Sequence, residues 1–446
     1  MNAAPSDKRR NVKFSRLEEG AVEHSLPGPN DITRVELYNG IIVLARSNFY
    51  SPSVVLNGYL CTGSIADPDE KLGLADFTAA ALMRGTQNHD FQQIYDILES
   101  AGANLGLEGS IHTTGFWGRA LAEDLAMLLQ LLAEVLRQPL FPAEEVEKLR
   151  AQLLTSLAIR AQNTGDMATL AFDQIVYTDH PYRRPEDGYP ETIQQITPAD
   201  LSEFHRHTYG PRGMTIAVVG AVNPQLAVEL VSRYFSNWQN PNQPKPAELP
   251  ELKPLNGVSR KAVEIAGKSQ ADIILGAAGP ARQSPDFMAA ALGNSVLGQF
   301  GMMGRIGDVV REKAGLAYYA HSNVSGGKGP GPWTISAGVA PENIERVIDL
   351  ILQELTHFVT EPVTAEELAD SQANFIGRLP LSLESNNGVS SALVNLERYN
   401  LGLDYYQRYA ELVRAITREE ILETARRYLD PQRIAIGIAG SLGKGG

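Results

Sequence analysis

The spacing of apolar residues predicts a chain in which helices and strands are mixed. Residues 33–46 form two apolar runs around Asn39-Gly40, a pair of residues that is typical of tight β-hairpins. Runs rich in β-branched and apolar residues predict further strands at 53–61, 105–116 and 214–220, and two within 261–276. Apolar positions at helical spacing predict helices at 73–86, 91–101, 123–137, 142–159, 166–177, 198–209 and 287–296.

An internal repeat organises these elements. Segments that begin at Ile196 and at Ile416 share a helix start, a proline and an apolar strand. At one constant offset the matched pairs are Thr197 and Thr417, Leu201 and Ile421, Pro211 and Pro431, Ile216 and Ile436, Gly220 and Gly440, Leu132 and Leu352, and Glu134 and Glu354. A single offset that serves separated segments indicates a duplication. We therefore predict an α+β fold of two homologous halves, each a mainly antiparallel sheet with helices packed on one face.

A proline-rich stretch marks the predicted boundary between the halves. Five prolines interrupt the polar residues 238–255, which is typical of a semi-rigid, extended linker. The predicted organisation is a polar N-terminal tail at 1–28, an N-terminal domain at 29–237, this linker, and a C-terminal domain at 256–446.

The charge, cysteine content and hydropathy of the chain exclude several classes of function. The 446 residues carry a formal net charge of −13 with no long basic run, so we expect no nucleic-acid partner. Cys61 is the single cysteine, which excludes an internal disulfide and a thiolate zinc cluster. No segment is apolar enough for a membrane span or a signal peptide. We expect no membrane partner and a cytoplasmic location; a periplasmic one would require a signal that has been removed.

Residues 73–86, GLADFTAAALMRGT, occupy a helix that could in principle carry a metal. Two histidines four residues apart bind zinc on one helix face, and an acid between them serves as general base. The corresponding positions here hold Asp76, Ala79 and Ala80, of which only Asp76 could bind a metal. The eight histidines show no ligand spacing, and His205 and His207 point in different directions on one helix. We predict no metal site in this chain.

The same segment resembles the zinc-binding helix of the M16 (pitrilysin-like) zinc peptidases of the processing-peptidase type. The positions that match are Gly73, Leu74, Ala75, Phe77, Met83, Arg84, Gly85 and Thr86. The third zinc ligand of that family, a glutamate, falls near Ser156. The resemblance covers residues 30–442 and implies a metallohydrolase-like fold of two facing halves, similar to that of LuxS and the processing peptidases, from which the metal site has been lost.

Arg311 and Tyr318 are the candidate catalytic residues. A guanidinium and a phenol can hold a substrate carbonyl or stabilise an oxyanion. Taken alone, they are better explained as a surface arginine and a tyrosine at the edge of a core. The resemblance implies a role, because C-terminal halves of M16 proteins carry an R-x-x-x-G/Q-L-x-Y element that Arg311, Gly315, Leu316 and Tyr318 match. The spacing selects Tyr318 over Tyr319, and Gly315 predicts a helix end before a strand.

Two further segments are candidates for peptide binding. Gly298, Gly301 and Gly304 could expose backbone N–H groups to an extended peptide; the alternative is close helix–loop packing that needs residues without Cβ. A phosphate loop is disfavoured because no G-K-S/T follows. The resemblance implies that these glycines lie near the substrate. It also implies that strand 105–116 pairs with substrate as an edge strand, the alternative being an ordinary sheet strand.

The resemblance implies the non-catalytic subunit of a heterodimeric M16 peptidase. This chain would hold no cofactor, and zinc would sit on a partner subunit with an intact H-x-x-E-H helix. Arg311 and Tyr318 would act in trans on an unfolded peptide substrate, and the chain alone would be inactive. The alternative is a peptide-binding or structural scaffold protein with no catalytic role.

Overall fold

The chain folds around two β-sheets. A computed structural model describes residues 26–299 and 304–442. The first sheet has the strand order β1-β2-β6-β3-β5-β4. Its strands are β1 Thr33–Glu36, β2 Ile42–Ser47, β3 Ser53–Leu60, β4 Asn104–Gly109, β5 Thr114–Leu121 and β6 Thr215–Gly220. All neighbours are antiparallel except β2 and β6.

The second sheet repeats this plan with one strand fewer. Its order is β7-β11-β8-β10-β9, and only β7 and β11 are parallel. Its strands are β7 Ser259–Glu264, β8 Ala271–Ala278, β9 Ala317–Val324, β10 Pro332–Val339 and β11 Ala435–Gly440. The predicted α+β fold of two similar halves is confirmed.

The helices form the layers beside the sheets. Those before residue 240 are α1 Leu74–Ala81, α2 Phe91–Ser100, α3 Leu125–Arg137, α4 Ala143–Arg160, α5 Thr164–Val176, α6 Pro190–Gln195, α7 Pro198–Thr208 and α8 Pro224–Phe235. Those after it are α9 Phe287–Gly298, α10 Gly304–Gly307, α11 Ile344–Thr360, α12 Ala365–Ser382, α13 Asn386–Arg398, α14 Tyr405–Ala415 and α15 Arg418–Tyr428. Within the described residues no helix is long and apolar enough to cross a bilayer.

Two helices are exchanged between the halves. Helix α5 precedes the linker, yet Phe172 packs with Ile274 and Ala439 of the second sheet. Helix α13 follows the linker, yet Leu393 packs with Leu44 of the first sheet. The offset of the sequence repeat carries α5 nearly onto α13, so the exchange is reciprocal. Each sheet therefore has its own helices on one face and a helix from the other half on the opposite face.

The exchange explains why two inner strands are buried along their whole length. All six residues of β6 and all six of β11 are buried, as expected for strands covered on both faces. Gly437 of β11 lies directly under α5. A Cβ at this position would overlap the carbonyl oxygen of Ala168 and would lie 2.7 Å from the backbone nitrogen of Phe172. The missing side chain lets the helix rest on the strand.

The prediction of a single strand at 105–116 is wrong. The segment is a hairpin of β4 and β5 whose turn spans residues 110–113. The carbonyl oxygens of Ser110 and Ile111 accept hydrogen bonds from the backbone of Ser64 and Ile65, both 3.0 Å long. A tertiary contact therefore fixes this turn, and the local sequence carries no strong turn signal.

The segment between α8 and β7, residues 236–258, contains no regular helix or strand. It includes the proline-rich stretch at 238–255. The domain boundaries drawn from that stretch stay a prediction. The proposed tail at 1–28 lies outside the described residues except for 26–28.

Candidate functional site

Helix α1 carries the positions that correspond to the zinc-binding motif. It starts at Gly73, whose φ of +93° lies in the left-handed region that favours glycine. Asp67 fixes this start, because its carboxylate accepts hydrogen bonds from the backbone nitrogens of Gly73 and Ala75, both 2.9 Å. Burial raises the pKa of Asp67 to about 7, and these two bonds oppose that rise.

The three motif positions on α1 cannot form a zinc site. Ala79 is buried in the core and Ala80 packs against its edge, and neither has a donor atom. Asp76 faces strand β4, where a Cβ on Gly109 would lie 2.7 Å from the Asp76 Cα. Ser156, at the third ligand position, is exposed on α4. These residues do not fit zinc, which takes His, Cys and carboxylate ligands in catalytic sites.

Asp76 interacts electrostatically with the carboxylates of Asp187 and Glu186. Burial, and then the charge of Asp187, raise the pKa of Asp76 to about 6. Burial, and then the charge of Asp76, raise the pKa of Glu186 to about 7. Asp187 is paired with Arg160 of α4. Across residues 26–299 and 304–442, no group of three or more His, Cys, Asp or Glu side chains is placed to hold a metal ion.

Arg311 lies in a π-helical turn, Asp308–Lys313, that ends just before strand β9. The backbone nitrogen of Gly315 donates to the carbonyl of Arg311 at 3.0 Å, and Gly315 has a φ of +66°. The predicted change from helix to strand at Gly315 is therefore present. The Arg311 side chain is 39% exposed and approaches Glu312 at 3.8 Å. Single π-helical turns of this kind occur frequently at functional sites.

Tyr318 is the extra residue of a β-bulge on an edge strand. Strand β9 ends the second sheet, and its register with β10 shifts so that Gly338 pairs with Tyr319 and Val339 with Ala317. The side chain of Tyr318 is 61% exposed. Bulges redirect a side chain and are enriched beside active sites.

The neighbouring Tyr319 is bound within the fold. Its hydroxyl donates a hydrogen bond to the carboxylate of Asp272, which is only 2% exposed. Burial, and then this hydrogen bond, raise the pKa of Tyr319 well above its usual range. Of the two adjacent tyrosines, Tyr318 has the more exposed phenol.

The glycines considered for substrate binding have the contacts of packing residues. A Cβ on Gly298 would overlap the backbone nitrogen of Ser322 and lie 2.5 Å from its Oγ. Gly304 has a φ of +64°, and a Cβ there would lie 2.6 Å from the backbone nitrogen of Gly298. Gly298 thus lets α9 approach strand β9, and Gly304 lets the start of α10 pack against the end of α9. Gly301 lies outside the described residues.

Strand β4 is the edge of the first sheet beside α1. One of its two hydrogen-bonding edges pairs with β5, and no described strand pairs with the other. The indole of Trp117 crosses Gly106, where a Cβ would lie 2.5 Å from the ring. The structure thus brings Asp76 against β4 in the first sheet and places Arg311 and Tyr318 at an edge of the second.

Three features of this region escaped sequence reasoning. Asp67 caps α1 from six residues before Gly73, and Glu186 and Asp187 join Asp76 from more than a hundred residues along the chain. Asp67 stands in an acidic turn, a weak local signal. The approach of Glu186 and Asp187 has no local signal, because it depends on how the segment between α5 and α6 packs against α4 and the start of α1.

Comparisons with known proteins identify related sequences. Residues 42–185 match the family model described as insulinase (peptidase family M16), and residues 195–375 match the one described as peptidase M16 inactive domain. An uncharacterized zinc protease of Streptomyces coelicolor is 25% identical over 396 residues, covering 87% of this chain and 84% of that protein. An uncharacterized zinc protease of Bacillus subtilis is 24% identical, covering 81% and 86%.

Solved structures give the same result. A peptidase M16 inactive domain from Pseudomonas fluorescens is 26% identical with a TM-score of 0.85, covering 92% of this chain and 98% of that one. A protease from Helicobacter pylori has a TM-score of 0.83 at 22% identity and covers 93% and 100%. This second likeness shows the fold.

Proposed function

The chain belongs to the M16 peptidase family, and from that premise we propose that it is the non-catalytic subunit of a two-chain M16 peptidase. One observation carries the proposal. The positions that would bind zinc hold Asp76, Ala79, Ala80 and Ser156, while Arg311 and Tyr318 keep the spacing of the family's second active-site element. Loss of all activity would not by itself explain why the zinc positions are replaced while Arg311 and Tyr318 still match the family's element.

The metal belongs to the partner in this proposal. A partner subunit of the same family, with an intact H-x-x-E-H helix, supplies the zinc. Arg311 and Tyr318 act on the substrate from this chain. The Tyr318 phenol donates a hydrogen bond to the carbonyl oxygen of the scissile peptide bond. The Arg311 guanidinium stabilises the negative charge that develops on that oxygen.

The peptide is bound in an extended conformation. The outer edge of β4 offers backbone donors and acceptors to an added strand, which is how β-augmentation binds peptides. Strand β9, which carries Tyr318, is the edge of the second sheet. An unfolded peptide is therefore the substrate class that this proposal requires.

The alternative is a peptide-binding protein with no part in catalysis. A groove of about 620 Å³ between α13 and the open face of β5 favours it. Its lining includes Asn57, Asn104, Asn395, Trp117 and Arg119. Side-chain amides bind peptide backbone and an indole binds apolar side chains, so the groove suits peptide without any reaction.

Hydrolysis of a quenched fluorogenic peptide separates the two functions. It is measured with this chain alone, with a zinc-helix homologue from the same genome alone, and with both mixed. The proposal expects cleavage by the mixture and none by this chain alone. A homologue that is as active alone as in the mixture would support the binding protein instead.

Variants of this chain identify the residues involved. Arg311→Ala should lower the kcat/KM of the mixture about 100-fold, as loss of an oxyanion donor does. Arg414→Ala, at an exposed position on α14, is the matched control and should leave kcat/KM unchanged. Full activity of the Arg311→Ala mixture would refute the assigned role.

A further inference from the structure

A cavity of about 540 Å³ lies where the two halves meet. Its walls include five separate segments: residues 59–66 at the end of β3, the β4–β5 turn at 110–113, helix α5, the linker residues 244–247, and the β9–β10 loop at 325–331. The end of α13 completes it with Arg398 and Tyr399. We call this the interhalf cavity. Its volume falls within the range of small-molecule sites, about 300–1,000 Å³.

The walls of the interhalf cavity are held by specific contacts. The Tyr177 hydroxyl donates to the carbonyl of Pro330 at 2.9 Å. The backbone nitrogen of Gly329 donates to the Tyr182 hydroxyl at 3.0 Å, and that hydroxyl shares a 2.6 Å hydrogen bond with His112. The loop at 325–331 is thus fixed to tyrosines that precede the linker. The cavity is a built feature of the fold, with aromatic and aliphatic side chains over most of its surface.

The lining of the interhalf cavity is positively charged, whereas the whole chain has a net charge of −13. Three cationic side chains line it: Lys245, Lys328 and Arg398. No carboxylate of the described residues forms an ion pair with any of the three. Asp173 is the one acidic residue of the lining, and burial raises its pKa to about 7. Among the described residues, the lining of the cavity therefore carries an excess of positive charge.

One hydrogen-bond donor of Arg398 lacks an acceptor among the described residues. Its guanidinium lies 4.5 Å from the centre of the Tyr59 ring, and its Nε is buried with no hydrogen-bond partner among the described residues. A buried donor without an acceptor costs about 1–3 kcal/mol, and more when it is charged.

Lys328 and Arg398 approach the same wall. Burial, and then the charge of Lys328, lower the pKa of His112 to about 4, and Arg398 contributes in the same direction. Both cations also act on the Cys61 thiol, where they oppose the rise in pKa that burial causes. His112 is consequently a neutral imidazole at pH 7, and the positive charge at this wall comes from the two cations.

We propose that the interhalf cavity binds a small apolar carboxylic acid, with its carboxylate between Lys328 and Arg398 and its hydrocarbon body against Ile111 and Tyr177. A carboxylate has two acceptor oxygens, which suit one guanidinium and one ammonium group. The largely apolar walls match the hydrocarbon and would desolvate a phosphate or other polyanion at high cost. The proposal does not depend on the peptidase role.

Calorimetric titration of the full chain with octanoate tests the proposal. Octan-1-ol and octylammonium are matched ligands with the same hydrocarbon body and no negative charge. One octanoate should bind per chain and raise the Tm, because the ligand binds the folded state alone. Octan-1-ol should bind at least about tenfold more weakly, and octylammonium should give no heat of binding.

Two variants test the location. Lys328→Met keeps an apolar stem on an exposed loop residue, so the fold should persist. It should weaken octanoate binding at least about tenfold. Lys148→Met, on the exposed side of α4, is the control and should bind octanoate like the unmodified chain.

Three outcomes would overturn the proposal. These are octanoate giving neither heat nor a Tm shift, octan-1-ol binding as tightly as octanoate, and Lys328→Met binding octanoate as the unmodified chain does. Arg398→Met is a second variant with the same expectation as Lys328→Met, and circular dichroism checks that both are folded. None of these results bears on whether the mixture with a zinc-helix homologue cleaves peptides.

Discussion

The exchange of helices between the halves makes a prediction that the order of the chain alone would not make. Phe172 of α5 and Phe235 of α8 both precede the linker, and both are fully buried. Phe172 packs against the second sheet, and Phe235 packs in the core of the first. Replacing each by alanine should therefore destabilise different sheets.

The expected size of the effect follows from burial. A fully buried Phe→Ala replacement costs about 3–5 kcal/mol, the sum of lost transfer free energy and the cavity that is left. Proteins of this kind have a free energy of unfolding of about 5–15 kcal/mol, so the loss is a large fraction of the total. A local opening that becomes easier by about 3 kcal/mol raises amide exchange about a hundredfold.

Native-state hydrogen exchange read by mass spectrometry measures where the loss falls. Phe172→Ala should speed exchange most in β8 and β11, and Phe235→Ala, the matched control, should speed it most in β2 and β6. Urea unfolding gives the total loss for each variant. Faster exchange confined to β2 and β6 in the Phe172→Ala protein would show that α5 does not cover the second sheet.

Three further predictions follow from the described contacts. Asp76 has a folded-state pKa above its unfolded value, so its ionisation lowers the stability of the fold as pH rises from about 4 to 7. Asp76→Asn should therefore stabilise the protein by about 1–2 kcal/mol at pH 8 and by little at pH 4. Urea unfolding at both pH values measures this difference. Gly437→Ala should lower the Tm because its Cβ would meet α5, whereas Gly377→Ala, in a helix with no atom within 4 Å of the new Cβ, should raise stability by about 0.5–1 kcal/mol. Tyr318→Phe should lower the kcat/KM of the mixture with a zinc-helix homologue and leave stability unchanged. Tyr319→Phe should instead cost about 1–3 kcal/mol of stability, because it removes the hydrogen bond to Asp272, and should leave kcat/KM unchanged. The opposite pattern would contradict the selection of Tyr318.

The choice between Tyr318 and Tyr319 uses different information from the sequence and from the structure. In the sequence, the resemblance to the R-x-x-x-G/Q-L-x-Y element of M16 proteins selects Tyr318. The structure supplies the physical difference, since the Tyr318 side chain is 61% exposed while the Tyr319 hydroxyl is bound to buried Asp272. Sequence alone could not give this difference, because Asp272 reaches Tyr319 from a different strand.

The sequence by itself determined the class of fold, the duplication and most helices and strands. The Asn39-Gly40 turn and the capped start of α7 at Thr197 are local signals, because a turn or a cap is made by residues that are neighbours in the chain. The absence of zinc ligands on α1 was equally local, since a metal needs donor atoms at fixed spacing on one helix.

Only the tertiary structure decided which surfaces meet. The apolar runs of β6 and β11 predicted strands, but not that both faces are covered or that one covering helix comes from the other half. The turn at 110–113, the carboxylates beside Asp76 and the interhalf cavity are likewise made by residues distant in sequence. Periodicity records that a side chain is removed from water, because the hydrophobic effect is non-directional; which partner removes it depends on the packing of the whole chain.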